Sequence, residues 1–174
     1  MLTSVLLAGI AVFVCAIFFH AGYSKCRHSA GYVDIMAAYL GRPVTNRAVS
    51  ATGFVEMVLA LMLIVPTTRA LGALGCSLLL VLYALFMWRQ IQTGRSDLRC
   101  GCSGPAAETR VGPELVWRNA LVAAGLLGVV AVEPAVTSWA VIFLALVFGL
   151  FLVLVYLSVD QIIANRQRLV GWSV

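Results

Sequence analysis

Five long apolar runs constrain the fold of this chain more than any other feature. They cover residues 2–23, 49–65, 70–91, 115–132 and 136–159. A helix that spans a bilayer needs about 17–25 predominantly apolar residues, so every run is long enough, the second and fourth only narrowly. Because 62% of the residues are hydrophobic and 11% charged, a soluble fold could not hide this surface from water. We predict an all-α integral membrane protein, a compact bundle of four to five transmembrane helices covered by the lipid bilayer.

A short helix is predicted in the loop after the first run. Ile35, Met36, Tyr39 and Leu40 fall on one face of a helix that ends at the Gly-Arg-Pro of 41–43. Two interpretations are open for this helix. It could lie along the lipid headgroups, or it could form a lid over a site at the membrane surface.

The chain has a net charge of +5, and its cations cluster at one end of the predicted bundle. Consecutive membrane helices alternate in direction, so the loops 25–48 and 92–114 lie on one side with the C-terminal tail. Positively charged loops are typically cytoplasmic, which predicts that side for the two loops. The cations form no basic stripe with interleaved aromatic residues, so no nucleic-acid partner is predicted.

The pair Cys100 and Cys102 is the strongest chemical signal. Cysteines separated by a single glycine are close enough to form a small, strained disulfide ring, and strain favours thiol–disulfide exchange. Arg99 and the start of the next helix would both favour a reactive thiolate. We predict that Cys100 and Cys102 are the catalytic residues of a redox site.

Cys26 lies in a polar segment on the same side as this pair, and two roles are open for it. It could relay a disulfide to Cys100 or Cys102. Alternatively, Cys26, His28, Cys100 and Cys102 could bind a soft metal such as Zn or Cu(I). Cys15 and Cys76, inside apolar runs, are predicted to be packing residues.

Four polar residues are predicted to act within or near the membrane. Glu56 is an acidic residue inside an apolar run, where a carboxylate needs a partner, and Lys25 is the nearest candidate. The two could form a buried ion pair, relay protons or anchor a quinone carbonyl. Arg118 and Asn119, about one turn into the fourth helix, could bind loop carbonyls, a lipid phosphate or a quinone.

The chain resembles the MauE family of methylamine utilisation, which is related to the DoxX membrane proteins. The resemblance extends to about residue 130 and rests on short motifs in a characteristic order: AGYSK (21–25), Glu56, TG (93–94), CGCSG (100–104) and WRN (117–119). The family's loop reads CGCFG, so Ser103 departs from it outside the cysteine pair. The fifth run and the tail carry no motif of the family.

The resemblance implies a single MauE/DoxX-like transmembrane domain over 1–174, in a bacterial plasma membrane. It also implies a thiol–disulfide redox activity, exercised together with a thioredoxin-like partner during the maturation of a disulfide-rich periplasmic dehydrogenase. The layout is similar to membrane oxidoreductases in which a cysteine pair at a helix end passes electrons to a quinone. That role needs thiols on the periplasmic side, whereas the charge pattern predicts the cytoplasmic side.

Three function classes remain open on the sequence. The first is a membrane thiol–disulfide redox protein or maturation factor, with a quinone as acceptor. The second is a soft-metal-binding membrane protein. The third is a non-catalytic subunit of a membrane oxidoreductase complex. We favour the first, because a cysteine pair in a polar loop has no packing role.

Overall fold

The computed structural model describes residues 1–95, 98, 100, 109–132 and 138–171. The described residues form six helices: α1 (Leu2–Arg27), α2 (Ser29–Leu40), α3 (Asn46–Ile64), α4 (Arg69–Gln92), α5 (Pro113–Ala131) and α6 (Trp139–Gly171). All but α2 are long and apolar enough to cross a membrane. The predicted all-α fold, with a short helix after the first span, is therefore confirmed.

The helix ends follow local sequence signals. Gly41 takes a left-handed conformation at the end of α2, where its φ is 65°. Thr45 caps α3 by accepting a hydrogen bond from the Ala48 N–H at 3.3 Å. Gly94, with a φ of 73°, ends α4 in the same way as Gly41 ends α2. Pro113 occupies the first turn of α5, where a proline costs no helical hydrogen bond.

Helix α6 is longer than predicted. We expected it to end near Val159, but it continues to Gly171. At a rise of 1.5 Å per residue its 33 residues measure about 50 Å, which exceeds the roughly 30 Å hydrocarbon core. Hydropathy reports where a helix leaves lipid and does not report where the helix stops. The polar end of α6 reaches the segment before α5, where Gln167 contacts the Arg110 backbone.

Helix α1 lies at the centre of the bundle, in contact with α3, α5 and α6, while α4 packs on α3 and α5. Most of the buried core is apolar and includes Phe13, Val14, Leu126 and Cys76. The packing role predicted for Cys76 is thus confirmed. The outer face of α4 exposes Leu71, Leu78 and Leu85 at seven-residue intervals. Such a stripe is stable only if lipid or a partner covers it.

Glycines allow α1 and α3 to touch backbone to backbone. A Cβ added to Gly22 would lie 2.4 Å from the Gly53 carbonyl oxygen, and one added to Gly53 would lie 2.6 Å from the Gly22 oxygen. Small residues permit this close approach between membrane helices. The crossing sets the distance between the side chains one turn away on each helix, which belong to the candidate site.

Candidate functional site

A cavity of about 160 Å³ lies at the end of the bundle where α1, α4 and α5 meet α2. Its walls are mostly apolar side chains of α1, α2 and α4, such as Phe18, Met36 and Leu80. Seven polar side chains and one cysteine also line it: Lys25, Tyr32, Tyr39, Glu56, Tyr83, Asn119, Tyr156 and Cys100. An apolar cavity with a few convergent polar groups is the usual form of a ligand site.

The ion pair predicted between Lys25 and Glu56 is present in this cavity. The Lys25 ammonium donates to Glu56 Oε1 at 2.8 Å and to Oε2 at 2.7 Å. The side chains are 12% and 1% exposed, respectively. The Tyr83 hydroxyl donates a further hydrogen bond to Glu56 Oε1. The carboxylate is therefore satisfied by a cation and a phenol, as a buried charge requires.

The helix directions explain why these two side chains meet. Side chains on an α-helix lean toward its N-terminus. Helices α1 and α3 run in opposite directions, so Lys25 leans deeper into the bundle and Glu56 leans toward the membrane surface. Each lies three residues after a glycine of the Gly22–Gly53 crossing, which brings the two backbones close. The pair is thus a product of the crossing as well as of the charges.

Two aromatic rings surround the Lys25 ammonium. It lies 5.7 Å from the centre of the Tyr32 ring and 5.8 Å from that of Tyr83, within the range of cation–π attraction. Tyr32, on α2, shares a hydrogen bond of 3.0 Å with Ser24. Burial raises the pKa of the Tyr32 phenol, the Ser24 hydrogen bond opposes that rise and the Glu56 charge adds to it. Tyr32 therefore remains a neutral phenol against the ion pair.

Cys100 forms part of the cavity wall and is disulfide-bonded. Its Sγ lies 3.9 Å from the Met87 Sδ of α4. Its N–H donates to the Thr109 carbonyl at 2.9 Å, which pairs the cysteine with the segment just before α5. The predicted partner Cys102 lies outside the described residues. Cys100 is half-buried and lies between this cavity and a core cluster that contains Met87, Val111 and Leu115.

The amide of Asn119 faces the same cavity. Asn119 is 4% exposed, and no hydrogen bond joins its side chain to another residue that the structure describes. A buried amide without a partner loses the hydrogen bonds that it had with water. Asn119 therefore offers a cavity ligand an amide that no other described residue engages.

Arg118 does not line the cavity, in contrast to its predicted role beside Asn119. Its Nη1 donates to the Asp160 carboxylate of α6. Its guanidinium carbon lies 4.4 Å from the centre of the Tyr156 ring, also on α6. Asp160 follows the predicted end of the last span, so the apolar pattern does not indicate it as a partner. Arg118 thus joins α5 to α6, while its Nε and Nη2 are buried without a hydrogen-bond partner among the described residues. Its predicted binding role stays a prediction.

The structure places Cys26 and His28 away from the cavity wall. Cys26 is a free thiol that donates to the Ser50 carbonyl of α3 at 3.4 Å. His28 is exposed at the junction of α1 and α2. Among the described residues, no three His, Cys, Asp or Glu side chains form a group that could hold a metal ion. Cys26, His28 and Cys100, the three proposed metal ligands that the structure describes, therefore do not lie together. The relay role of Cys26 stays a prediction.

Helix α2 covers the cavity with the face that the sequence predicted. Ile35, Met36, Tyr39 and Leu40 all line it. The Gln90 side chain of α4 holds the helix in place by donating to the Tyr39 carbonyl at 3.3 Å. This arrangement agrees with the lid interpretation, since a helix lying free on the headgroups would cover nothing.

The sequence interpretation missed Tyr83, Tyr32 and Asp160. Tyr83 belongs to an apolar run, where a tyrosine usually packs by its ring, and only the position of Glu56 reveals the role of its hydroxyl. The hydroxyl of Tyr32, on the short helix α2, pairs with Ser24 instead. Tyr83 lies on the same face of α4 as Met87, but nothing in the sequence marks that face as the one toward Glu56.

A comparison with protein-family models decides the family. The model described as methylamine utilisation protein MauE matches residues 3–132, about three quarters of the chain. The chain belongs to the MauE family. No curated protein and no solved structure matches it. The match spans α1 to α5, and with the five apolar spans it identifies a multi-pass membrane protein of a methylamine-utilisation family. Helix α6 lies beyond the part that the MauE model matches.

Proposed function

We propose that this MauE-family chain is a membrane thiol–disulfide redox protein that supports the maturation of a partner dehydrogenase in methylamine metabolism. Cys100 and Cys102 are its reactive pair. The observation that carries the proposal is the disulfide-bonded Cys100 in the wall of a cavity that also contains the Lys25–Glu56–Tyr83 network. Of the five cysteines, Cys15, Cys26 and Cys76 are free thiols, and this supports Cys102 as the partner of Cys100.

The exchange step requires no group beyond the two proteins. A thiolate of the client, or of a thioredoxin-like carrier, attacks one sulfur of the Cys100–Cys102 disulfide and forms a mixed disulfide. The second client thiolate then attacks that bond. The client leaves with a new disulfide, while Cys100 and Cys102 have gained its two electrons and, as the thiolates protonate, two protons.

The cavity fits a quinone ring as the acceptor for these electrons. An apolar cavity of about 150 Å³ in another protein binds benzene, so one ring fits a volume of this size. The unpartnered Asn119 amide would donate to a ring carbonyl, and the apolar walls would exclude water. A bound quinone would supply the capacity to accept two electrons and two protons. The Tyr83–Glu56 hydrogen bond keeps a proton-carrying group at the same wall.

Substitution of single cysteines tests the proposal. Cys100→Ser and Cys102→Ser should each abolish disulfide formation in the client dehydrogenase subunit, measured by alkylation and mass spectrometry in cells. Cys76→Ser, in the apolar core, is the matched control and should retain client oxidation. A client that is fully oxidised in both loop variants would leave only an assembly role for the protein. Cys26→Ser separates the relay, which needs this thiol, from direct exchange, which does not.

A further inference from the structure

The segment that holds Cys100 is itself held by the extended end of α6. Cys100 N–H donates to the Thr109 carbonyl, and Val111 N–H donates to the Leu98 carbonyl, both at 2.9 Å. Residues 98 and 100 therefore pair with 109–111 as two short antiparallel segments. The opposite edge of 109–111 faces α6. There the Gln167 Oε1 accepts from the Arg110 N–H at 2.8 Å, and the Gln167 Nε2 donates to the Arg110 carbonyl at 3.2 Å.

The Gln167 amide thus replaces a neighbouring strand. It satisfies both backbone groups of Arg110 on the edge that Cys100 does not use. An amide side chain that accepts and donates in this way matches the two-bond pattern of an antiparallel pair. The contact is directional, because only a side chain with both an acceptor and a donor can make it. It also belongs to the part of α6 that lies beyond the predicted end of the last span.

We propose that Gln167 is a positioning residue for the Cys100 disulfide and sets how readily that disulfide is reduced. This inference rests on the proposed redox function. A segment that is fixed before the two sulfurs meet loses less freedom on forming the bond, so its disulfide is more stable. We call the two Gln167–Arg110 hydrogen bonds the clamp. Without the clamp, the conformational entropy of the dithiol state rises more than that of the disulfide state, whose segment the S–S bond still constrains. Reduction then becomes more favourable.

The neighbouring ion pair between Arg166 and Glu114 provides a matched control. Its atoms are 3.9 Å apart and the side chains are 76% and 47% exposed, so it should contribute little. It also joins α6 to the start of α5, yet it does not contact the backbone of 109–111. Arg166→Gln therefore perturbs the same interface without removing the clamp.

The test is a redox titration of the full-length protein in membranes, in buffers of reduced and oxidised dithiothreitol. The fraction of reduced Cys100 and Cys102 is read by a maleimide mass tag. Gln167→Leu removes both hydrogen bonds to Arg110. It should lower the equilibrium constant for disulfide formation about threefold to tenfold, about the size of one net hydrogen bond, because the dithiol state loses part of the same stability. Gln167→Glu, which keeps the acceptor and loses the donor, should fall between it and the wild type. Arg166→Gln should titrate with the wild type.

The outcomes separate this inference from the proposed function. If the wild type titrates and Gln167→Leu titrates identically, with the same unfolding temperature, the positioning role is wrong while the redox function stands. If the wild-type pair does not titrate at all, the proposed function itself fails. If Gln167→Leu and Arg166→Gln shift the midpoint equally, the effect belongs to the general packing of α6, and the inference is overturned.

Discussion

At the scale of single residues, the buried pair of Lys25 and Glu56 is the most demanding feature of this membrane protein. A single charge at this depth would be costly, and each member stabilises the other in the same apolar surroundings. The sequence predicted this pair because an intramembrane carboxylate needs a cation. It did not predict the Tyr83 hydroxyl, since nothing in the order of residues shows which ring of α4 faces Glu56.

Glu56→Gln tests the energetic role of the pair. The amide keeps an acceptor for Tyr83 but leaves the Lys25 ammonium buried without a counter-charge. We expect a loss of about 3–5 kcal/mol in the free energy of unfolding, the usual cost of breaking a buried pair. Thermal unfolding of the full chain in detergent measures it. The double variant Lys25→Met/Glu56→Gln removes both charges and should recover most of the loss. Equal destabilisation in the single and double variants would contradict this account.

Asn119→Leu tests whether the cavity holds an acceptor with a carbonyl. The substitution removes the amide and keeps a side chain of similar size. Reoxidation of the Cys100–Cys102 dithiol by an added soluble quinone should slow about tenfold, the loss of one hydrogen bond to a ligand. Exchange with a client dithiol should not change. Asn165→Leu, on the exposed face of α6, is the control, and a similar slowing in that variant would argue against the assignment of Asn119.

At the scale of elements, the contact between α1 and α3 determines the site. The apolar runs predict that both helices exist, and they predict the short α2 by its apolar face. They do not predict which helices touch, because that depends on where small residues let two backbones approach. Gly22 and Gly53 provide this approach, and the ion pair lies one turn away from it on each helix.

Gly53→Ala should separate these helices. The added methyl would lie 2.6 Å from the Gly22 oxygen and 2.9 Å from the Lys25 Cβ. We expect about 1–3 kcal/mol of destabilisation, the typical cost of overpacking. Gly125→Ala on α5 is the matched control, since its Cβ would meet only Ile10 atoms at 3.7 Å. Alanine also favours a helix more than glycine does, so this control should be neutral or stabilising. Equal unfolding temperatures for the two variants would exclude a special role for the crossing.

Helix α6 shows where sequence-based prediction reached its limit. Hydropathy predicts its apolar part, but Asp160 and Gln167 lie in the polar extension beyond that part. Both contact residues near the start of α5 that are distant in sequence. Their roles depend on a helix that continues beyond the bilayer, and hydropathy carries no information about that.

At the scale of the whole molecule, two arguments disagree about orientation. The charge pattern predicts that the end with Cys26 and Cys100 faces the cytoplasm. A disulfide at Cys100 is typical of an oxidising compartment, since cytoplasmic thiols are kept reduced. The proposed function agrees with the second argument, because a donor of disulfides to a client outside the cytoplasm must face that client.

Thiol labelling in intact cells tests the central claim most directly. The probe is a membrane-impermeant maleimide, used with and without mild reduction in a Cys15→Ala/Cys76→Ala background. Cys26, a free thiol at the same end of the bundle, serves as the reporter of orientation. Our account predicts that Cys100 and Cys102 react from outside, and only after reduction. Labelling that requires permeabilisation but no reduction would show a cytoplasmic dithiol and contradict the proposed disulfide donor.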